Sequence, residues 1–260
     1  MKLMQPALVA AALLPLAGTA SAATITMTVL ETRFDNPSGG NVLTIDDVFV
    51  PDAAPAQIRW GQGALAGDLA NASGYEFDPR DTPFSEPEET IFELGNFTHF
   101  NFPISLGTSI DSVELFLRAM ITVEDGGEVF DLGQSIFEFA VMHDETPNNA
   151  VPCPYGDDDD NANGCADQVI IETLTTSDTF AFNGRELTLE ILGFSETLQD
   201  AQDGIFDSEF ISPERGENVR ILSAAFATVS EGETPVPAPL LLMAAGLFGL
   251  FGAQYLRRRG

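Results

Sequence analysis

Apolar and polar residues alternate along most of this chain with a period of two. The stretch "SVELFLRAMITV" sets Val113, Leu115, Leu117, Ala119, Ile121 and Val123 on one face and Glu114, Arg118 and Thr122 on the other. Successive side chains of a strand leave opposite faces of a sheet, so this is the pattern of a half-buried β-strand. "TITMTVLE" does the same with Ile25, Met27 and Val29, and "VLTIDDVFV" follows the turn-forming "DNPSGGN". Further strands are predicted in "SIFEFAVM", "QVIIETL", "TFAF", "ELTLEILGF" and "NVRILSAAFATV", with "DGGE" and "FNGRE" as hairpin turns. No body segment carries a helical period over enough residues to compete. Many short strands at turn spacing predict an all-β fold, a single β-sandwich with jelly-roll-like or Greek-key connections.

The two ends follow other patterns. Residues 1–22 hold Lys2, an apolar run from Ala7 to Ala17 and the small-residue pattern Ala20-Ser21-Ala22. This is the layout of a secretory signal peptide removed by signal peptidase, which places the β domain at 23–230. A proline-containing linker, "EGETPVPAP", covers 231–239. Residues 240–256 are apolar except for Gln254 and Tyr255, a run at the short limit of the roughly 17 to 25 residues that span a bilayer. Arg257, Arg258 and Arg259 lie in the tail 257–260 and would stay cytoplasmic by the positive-inside rule, leaving the body outside the cell.

Charge narrows the partners. All 40 acidic residues lie between these ends, against Arg33, Arg59, Arg80, Arg118, Arg185, Arg215 and Arg220 and no lysine, a body balance of −33. Nucleic acid and anionic lipid would be repelled. A solvated acidic surface suits a salty medium, where charges are screened over about 10 Å or less, and it also permits cation binding. The 20 phenylalanines and the regular alternation argue for a folded domain rather than an acidic disordered one.

Cys153 and Cys165 lie close together on a chain predicted to be exported, so a disulfide is expected. Two thiols and two histidines, His99 and His143, without paired metal spacing, make zinc the poorer reading. Within the cysteine loop, Asp159, Asn161, Asn163 and Gly164 follow the calcium pattern D-x-[DN]-x-[DN]-G. Asp167 stands at the ninth position and Ile170 where the twelfth-position glutamate belongs. Calcium at Asp159, Asn161, Asn163 and Asp167, with Asp157, Asp158 or Glu172 replacing the missing ligand, is one reading. A water-solvated acidic loop is the other. No serine elbow or histidine-oriented nucleophile is present, and among 40 acids no carboxylate pair for glycoside hydrolysis stands out. The chain is therefore read as having no catalytic residues. His99 and His143 read as loop-bracing residues, and Trp60 and Tyr75 as packed aromatics rather than sugar-stacking ones.

"LGNFTHFNFPI", with Thr98, His99 and Asn101, resembles the Thr-His-x-Asn signature of the THxN family of PEP-CTERM proteins. The related choice-of-anchor K domain looks similar over the same region, through "IRWG" with Trp60 and "FPI" at Phe102 to Ile104. The order continues with "HDETPNN", containing Glu145, Thr146, Pro147 and Asn148, then "GCAD" at Gly164 to Asp167, and "ELTLEILGF". The C-terminal region is similar to the PEP-CTERM sorting signal: Pro235, Val236, Pro237, Ala238 and Pro239, then the apolar span and the arginines. Two registers of that motif compete, Val236 to Pro239 and Thr234 to Ala238.

The resemblance implies recognition by an exosortase and delivery to the cell surface or exopolysaccharide matrix. The expected role is structural or adhesive, without enzymatic activity. A calcium-dependent glycan-binding module and a polysaccharide hydrolase are the alternatives.

Overall fold

The computed structural model describes residues 23–40, 42–45, 55–61, 67–105, 107–174 and 177–229. The signal peptide, linker, membrane span and basic tail predicted for 1–22, 231–239, 240–256 and 257–260 lie outside the described residues. Among the described residues no helix is long and apolar enough to cross a membrane.

Among the described residues thirteen strands form two antiparallel sheets. The six-stranded sheet runs in the order β12 (Glu209–Ser212), β9 (Asp167–Thr173), β8 (Glu128–Asp144), β7 (Ile110–Asp125), β1 (Thr24–Gly39), β5 (Phe84–Pro87). The seven-stranded sheet has the order β10 (Phe180–Phe182), β11 (Arg185–Ser195), β13 (Gly216–Thr228), β6 (Phe92–Asn101), β4 (Ser73–Pro79), β3 (Ala56–Trp60), β2 (Val42–Ile45). Neighbouring strands such as β7, β8 and β9 are consecutive in the chain, but the chain also changes sheet repeatedly, so β13 pairs with β6 and β1 with β7. The inner faces meet in one apolar core that draws on both sheets.

The alternation read from the sequence is the alternation of burial. Val113, Leu115, Leu117, Ala119, Ile121 and Val123 of β7 are all buried, as are Ile25, Met27 and Val29 of β1. Both hairpin turns form as expected. Asp125 faces Glu128 across Gly126 and Gly127, and Phe182 faces Arg185 across Asn183 and Gly184, the central residues all with positive φ. That is the mirror-image turn whose twist matches its strands, which is why glycine and asparagine stand there.

Arginines sit over aromatic rings at the margin of the core, with Arg33 over Phe116 and Arg59 over Phe100 at 3.4 Å, Arg80 over Phe84 at 4.6 Å and Arg220 over Phe210 at 5.0 Å. A short helix, α1 (Leu198–Gln202), was not anticipated. It is held by a capping box in which Thr197 Oγ1 accepts from the Asp200 backbone N–H and the Asp200 carboxylate accepts from that of Thr197.

The expected Cys153–Cys165 disulfide is present, with its Cα atoms 5.2 Å apart. Its loop spans a sequence separation of 12, and in the loop-entropy model reduction should lower the unfolding free energy by about 3 kcal/mol, measurable by denaturant titration with and without reductant. In the same assay Leu117→Ala should destabilise by about 2 to 5 kcal/mol through the cavity it leaves, whereas Thr122→Ala on the outer face should change stability by less than about 0.5 kcal/mol.

Candidate functional site

Strand β6 lies inside the seven-stranded sheet between β13 and β4. Strand periodicity therefore divides its motif. His99 and Asn101 point into the core and are 0% exposed, while Thr98 leaves by the other face, between Glu76 and Val219 in the register. His99 meets Trp60 of β3 at a ring distance of 5.9 Å, Tyr75 of β4 at 5.1 Å, and His143 of the opposite sheet at 5.1 Å. Trp60 and Tyr75 are fully buried, which removes them from any sugar-stacking surface.

These groups cross-link the sheets. His99 Nδ1 is 2.7 Å from Ser212 Oγ, and Asn101 Nδ2 donates to the Ser212 carbonyl at 2.8 Å, which ties β6 to β12. Tyr75 Oη and His143 Nδ1 are 2.7 Å apart, joining β4 to β8. The other His143 nitrogen, Nε2, lies 3.3 Å from Glu145 Oε2.

Asp167 opens β9 and shares an inward face with Val169 and Ile171, so the same alternation that buries those apolar residues buries a carboxylate at 0% exposure. One of its oxygens, Oδ1, accepts the Thr146 backbone N–H at 2.7 Å. A ring nitrogen from each of His99 and His143 and a carboxylate oxygen of Asp167 lie within 4.8 Å of one another; so do carboxylate oxygens of Glu145, Asp167 and Glu214. Asn101 sits beside Asp167, and Asn148 beside Glu214. Gly164 closes over this group with φ +138, and a Cβ there would stand 3.0 Å from Asn148 Oδ1 and 3.2 Å from Glu214 Cγ. Only glycine both adopts that backbone and leaves that space. A cavity of about 330 Å³, lined by Ile104, Ser105, Glu145, Thr146, Pro147, Asn148 and Asn149, leads to the Glu145 side.

Burial and crowding set the electrostatics. Asp167 is pushed up to about 9, first by desolvation and then by the charge of Glu145, and Glu214 rises to about 7 for the same two reasons. His99 falls well below the usual imidazole range, through burial and then the neighbouring His143, and Tyr75 rises through burial. His99 is thus a neutral ring. Its Nε2 has no well-aligned hydrogen bond, nor have Asn101 Oδ1, Asn148 Oδ1, Asp167 Oδ2 and both Glu214 carboxylate oxygens, with the Arg215 backbone N–H and Asn148 near Glu214 and Asn101 near Asp167 as the polar neighbours.

The residues singled out from the sequence divide clearly. Trp60, His99, Asn101, Glu145, Thr146 and Asn148, drawn from three stretches of the chain, come together here; Pro147 lines the cavity and Thr98, also buried, lies on the other face of β6. The loop residues are engaged elsewhere. Asn161 donates to the carbonyls of Tyr155 and Asp157 and accepts the Ala166 N–H at 2.7 Å, while Asp159 and Asn163 are exposed. Asp157 Oδ1 accepts the N–H groups of Asp159 and Asp160. Asp167 lies instead in the buried cluster, because the strand it opens turns it inward. Sequence reading missed Glu214, Ser212 and the pairing of the two histidines. No local spacing records them, since the donors come from β6, the end of β8, the start of β9 and the end of β12. The cysteine bridge ends two residues before Asp167 and pins that strand start.

In comparisons with known proteins, no protein-family model matches the chain and no curated protein matches it.

In buffer free of divalent cations the two raised carboxyls should govern alkaline stability. They are protonated in folded and unfolded chain alike below the ordinary carboxylate values of 3.8 and 4.5. Above those values the unfolded chain ionises first, so stability is lost as pH rises through about 7 for Glu214 and about 9 for Asp167. His99 acts oppositely, its contribution falling away below the ordinary imidazole value of 6.5. Melting curves from pH 7 to pH 9 should show wild-type stability declining and Asp167→Asn nearly flat over the Asp167 range.

Proposed function

We propose that the chain is an exported, non-catalytic β-sandwich of jelly-roll-like build that serves a structural or adhesive role at the cell surface or in the surrounding exopolysaccharide. A leader handled by signal peptidase and a terminal signal handled by an exosortase supply the route, with the apolar span 240–256 holding the protein in the membrane until it is cut. The PEP-CTERM-like order of proline motif, apolar span and arginine cluster supports this address.

One structural observation carries the role. The side chains with the most chemical capability, His99, Asn101 and Asp167, are 0% exposed and join one sheet to the other, a place suited to holding a fold and closed to a polymer substrate. The sheets meanwhile turn acidic side chains such as Glu31, Glu114 and Glu138 away from the core. A body this acidic is suited to a hydrated, ion-rich matrix and repels nucleic acid.

The test is the intact mass of natively produced protein from membrane, surface-wash and medium fractions. The expected result is a chain beginning near Ala23 and ending near Pro235 to Pro239 in the wash or medium. Retention of Leu240 to Gly260 in the membrane fraction alone would overturn the sorting part of the reading.

A further inference from the structure

Five buried oxygen atoms at one end of the sandwich have no well-aligned hydrogen bond: Asp167 Oδ2, both carboxylate oxygens of Glu214, Asn101 Oδ1 and Asn148 Oδ1, although the Arg215 backbone N–H and the Asn148 carboxamide stand near Glu214 and the Asn101 carboxamide near Asp167. Buried acceptors are ordinarily satisfied, and a cluster of them left open in a folded protein calls for an unseen donor or ion. One of these side chains, Asn101, is 0% exposed; its amide nitrogen donates to the Ser212 carbonyl and stands near Asp167, and its Oδ1 is left without a partner. Glu145 brings a third carboxylate within 4.8 Å of the other two.

We propose that Glu145, Asp167 and Glu214, completed by the carboxamide oxygens of Asn101 and Asn148, hold one calcium ion. The donor set is all oxygen, which selects a hard cation over a thiophilic or nitrogen-seeking one. With Glu214 bidentate it supplies six oxygens, within the six to eight that calcium takes in its adaptable geometry. Magnesium is less suited because it insists on a small octahedron and keeps several waters. The competing set is His99, His143 and Asp167, which would suit zinc or another transition ion. It is the weaker one, since both ring nitrogens of His143 already have partners, Tyr75 and Glu145. Glu145 and Asn148 also line the cavity of about 330 Å³, which gives an ion its way in. A dication would relieve the mutual repulsion of the three carboxylates. Of the calcium-like pattern in the cysteine loop the site uses only Asp167 as a ligand, while Gly164 of that pattern packs against Asn148 and Glu214.

The experiment uses the full chain in detergent, stripped with chelator and re-equilibrated with calcium or zinc, with bound metal measured by mass spectrometry and stability by thermal melting. One calcium per chain is expected. At calcium a hundredfold above Kd the Tm should rise by roughly 5 to 10 °C. Glu214→Gln removes a buried charge and should fold without calcium while losing the response. Asn148→Ala, at a half-buried position, should lose most of it as well and serves if the first variant does not fold. Asp159→Asn should keep it.

Three results would overturn the proposal. The first is a folded wild type indifferent to calcium. The second is a calcium response abolished by Asp159→Asn and retained by Glu214→Gln, which would move the site to the loop. The third is zinc stabilising wild type and Glu214→Gln alike with calcium inert, which would assign the centre to the imidazoles.

Discussion

A carboxylate carried out of water between two sheets is costly unless its surroundings answer it, and the end of this sandwich is arranged around one such group. Asp167 is inward because β9 alternates, and Val169 and Ile171 need the same face. Its neighbours follow from that placement. Thr146 donates its backbone N–H, Asn101 leans against the carboxyl from the facing sheet, and Glu145 and Glu214 approach from the ends of β8 and β12. Apolar contacts between sheets tolerate some sliding. The directional bonds from His99 and Asn101 to Ser212, and from Tyr75 to His143, fix one alignment.

The cysteine loop takes on a different meaning beside this centre. Its aspartates and asparagines have calcium-like spacing, yet the same side chains are good turn formers, because short carboxylates and carboxamides accept backbone N–H groups a few residues on. That is how Asp157 and Asn161 are used. At the end of the loop Gly164 packs against Asn148 and Glu214, and the Cys153–Cys165 bridge closes the loop beside it. A motif defined by oxygen spacing cannot tell these two uses apart.

Much of the fold was legible because sheets write themselves into sequence at period two. Leu115, Leu117 and Ile121, the two glycine-bearing hairpins and the disulfide all follow from local pattern. Strands β3, β4, β5 and β12 were harder to see, since they are short and β4 carries Gly74 and Pro79. The site was only partly legible. His99, Asn101, Glu145 and Asn148 were marked by resemblance without a reason for their grouping. Glu214 sits in "SPERGEN", one acid among 40, and nothing local distinguishes it. Its importance comes from a chain that crosses between sheets, which no spacing along the sequence encodes.

The arginines that lie on Phe116, Phe100, Phe84 and Phe210 have a consequence for the whole exterior. A guanidinium laid flat on a ring covers apolar surface and is weakly hydrated, work that a lysine ammonium does poorly. Arg33, Arg59, Arg80 and Arg220 serve as such covers, and the body has no lysine. Three of these four also pair with acids, Arg33 with Glu31 and Asp35, Arg80 with Glu86 and Arg220 with Glu196, but seven arginines against 40 acids leave most acids without a fixed counter-charge. Their counterions are mobile ones drawn from the medium. In physical terms the folded domain is a compact polyanion, and the reach of its ion cloud contracts or extends with the salt of the medium around it.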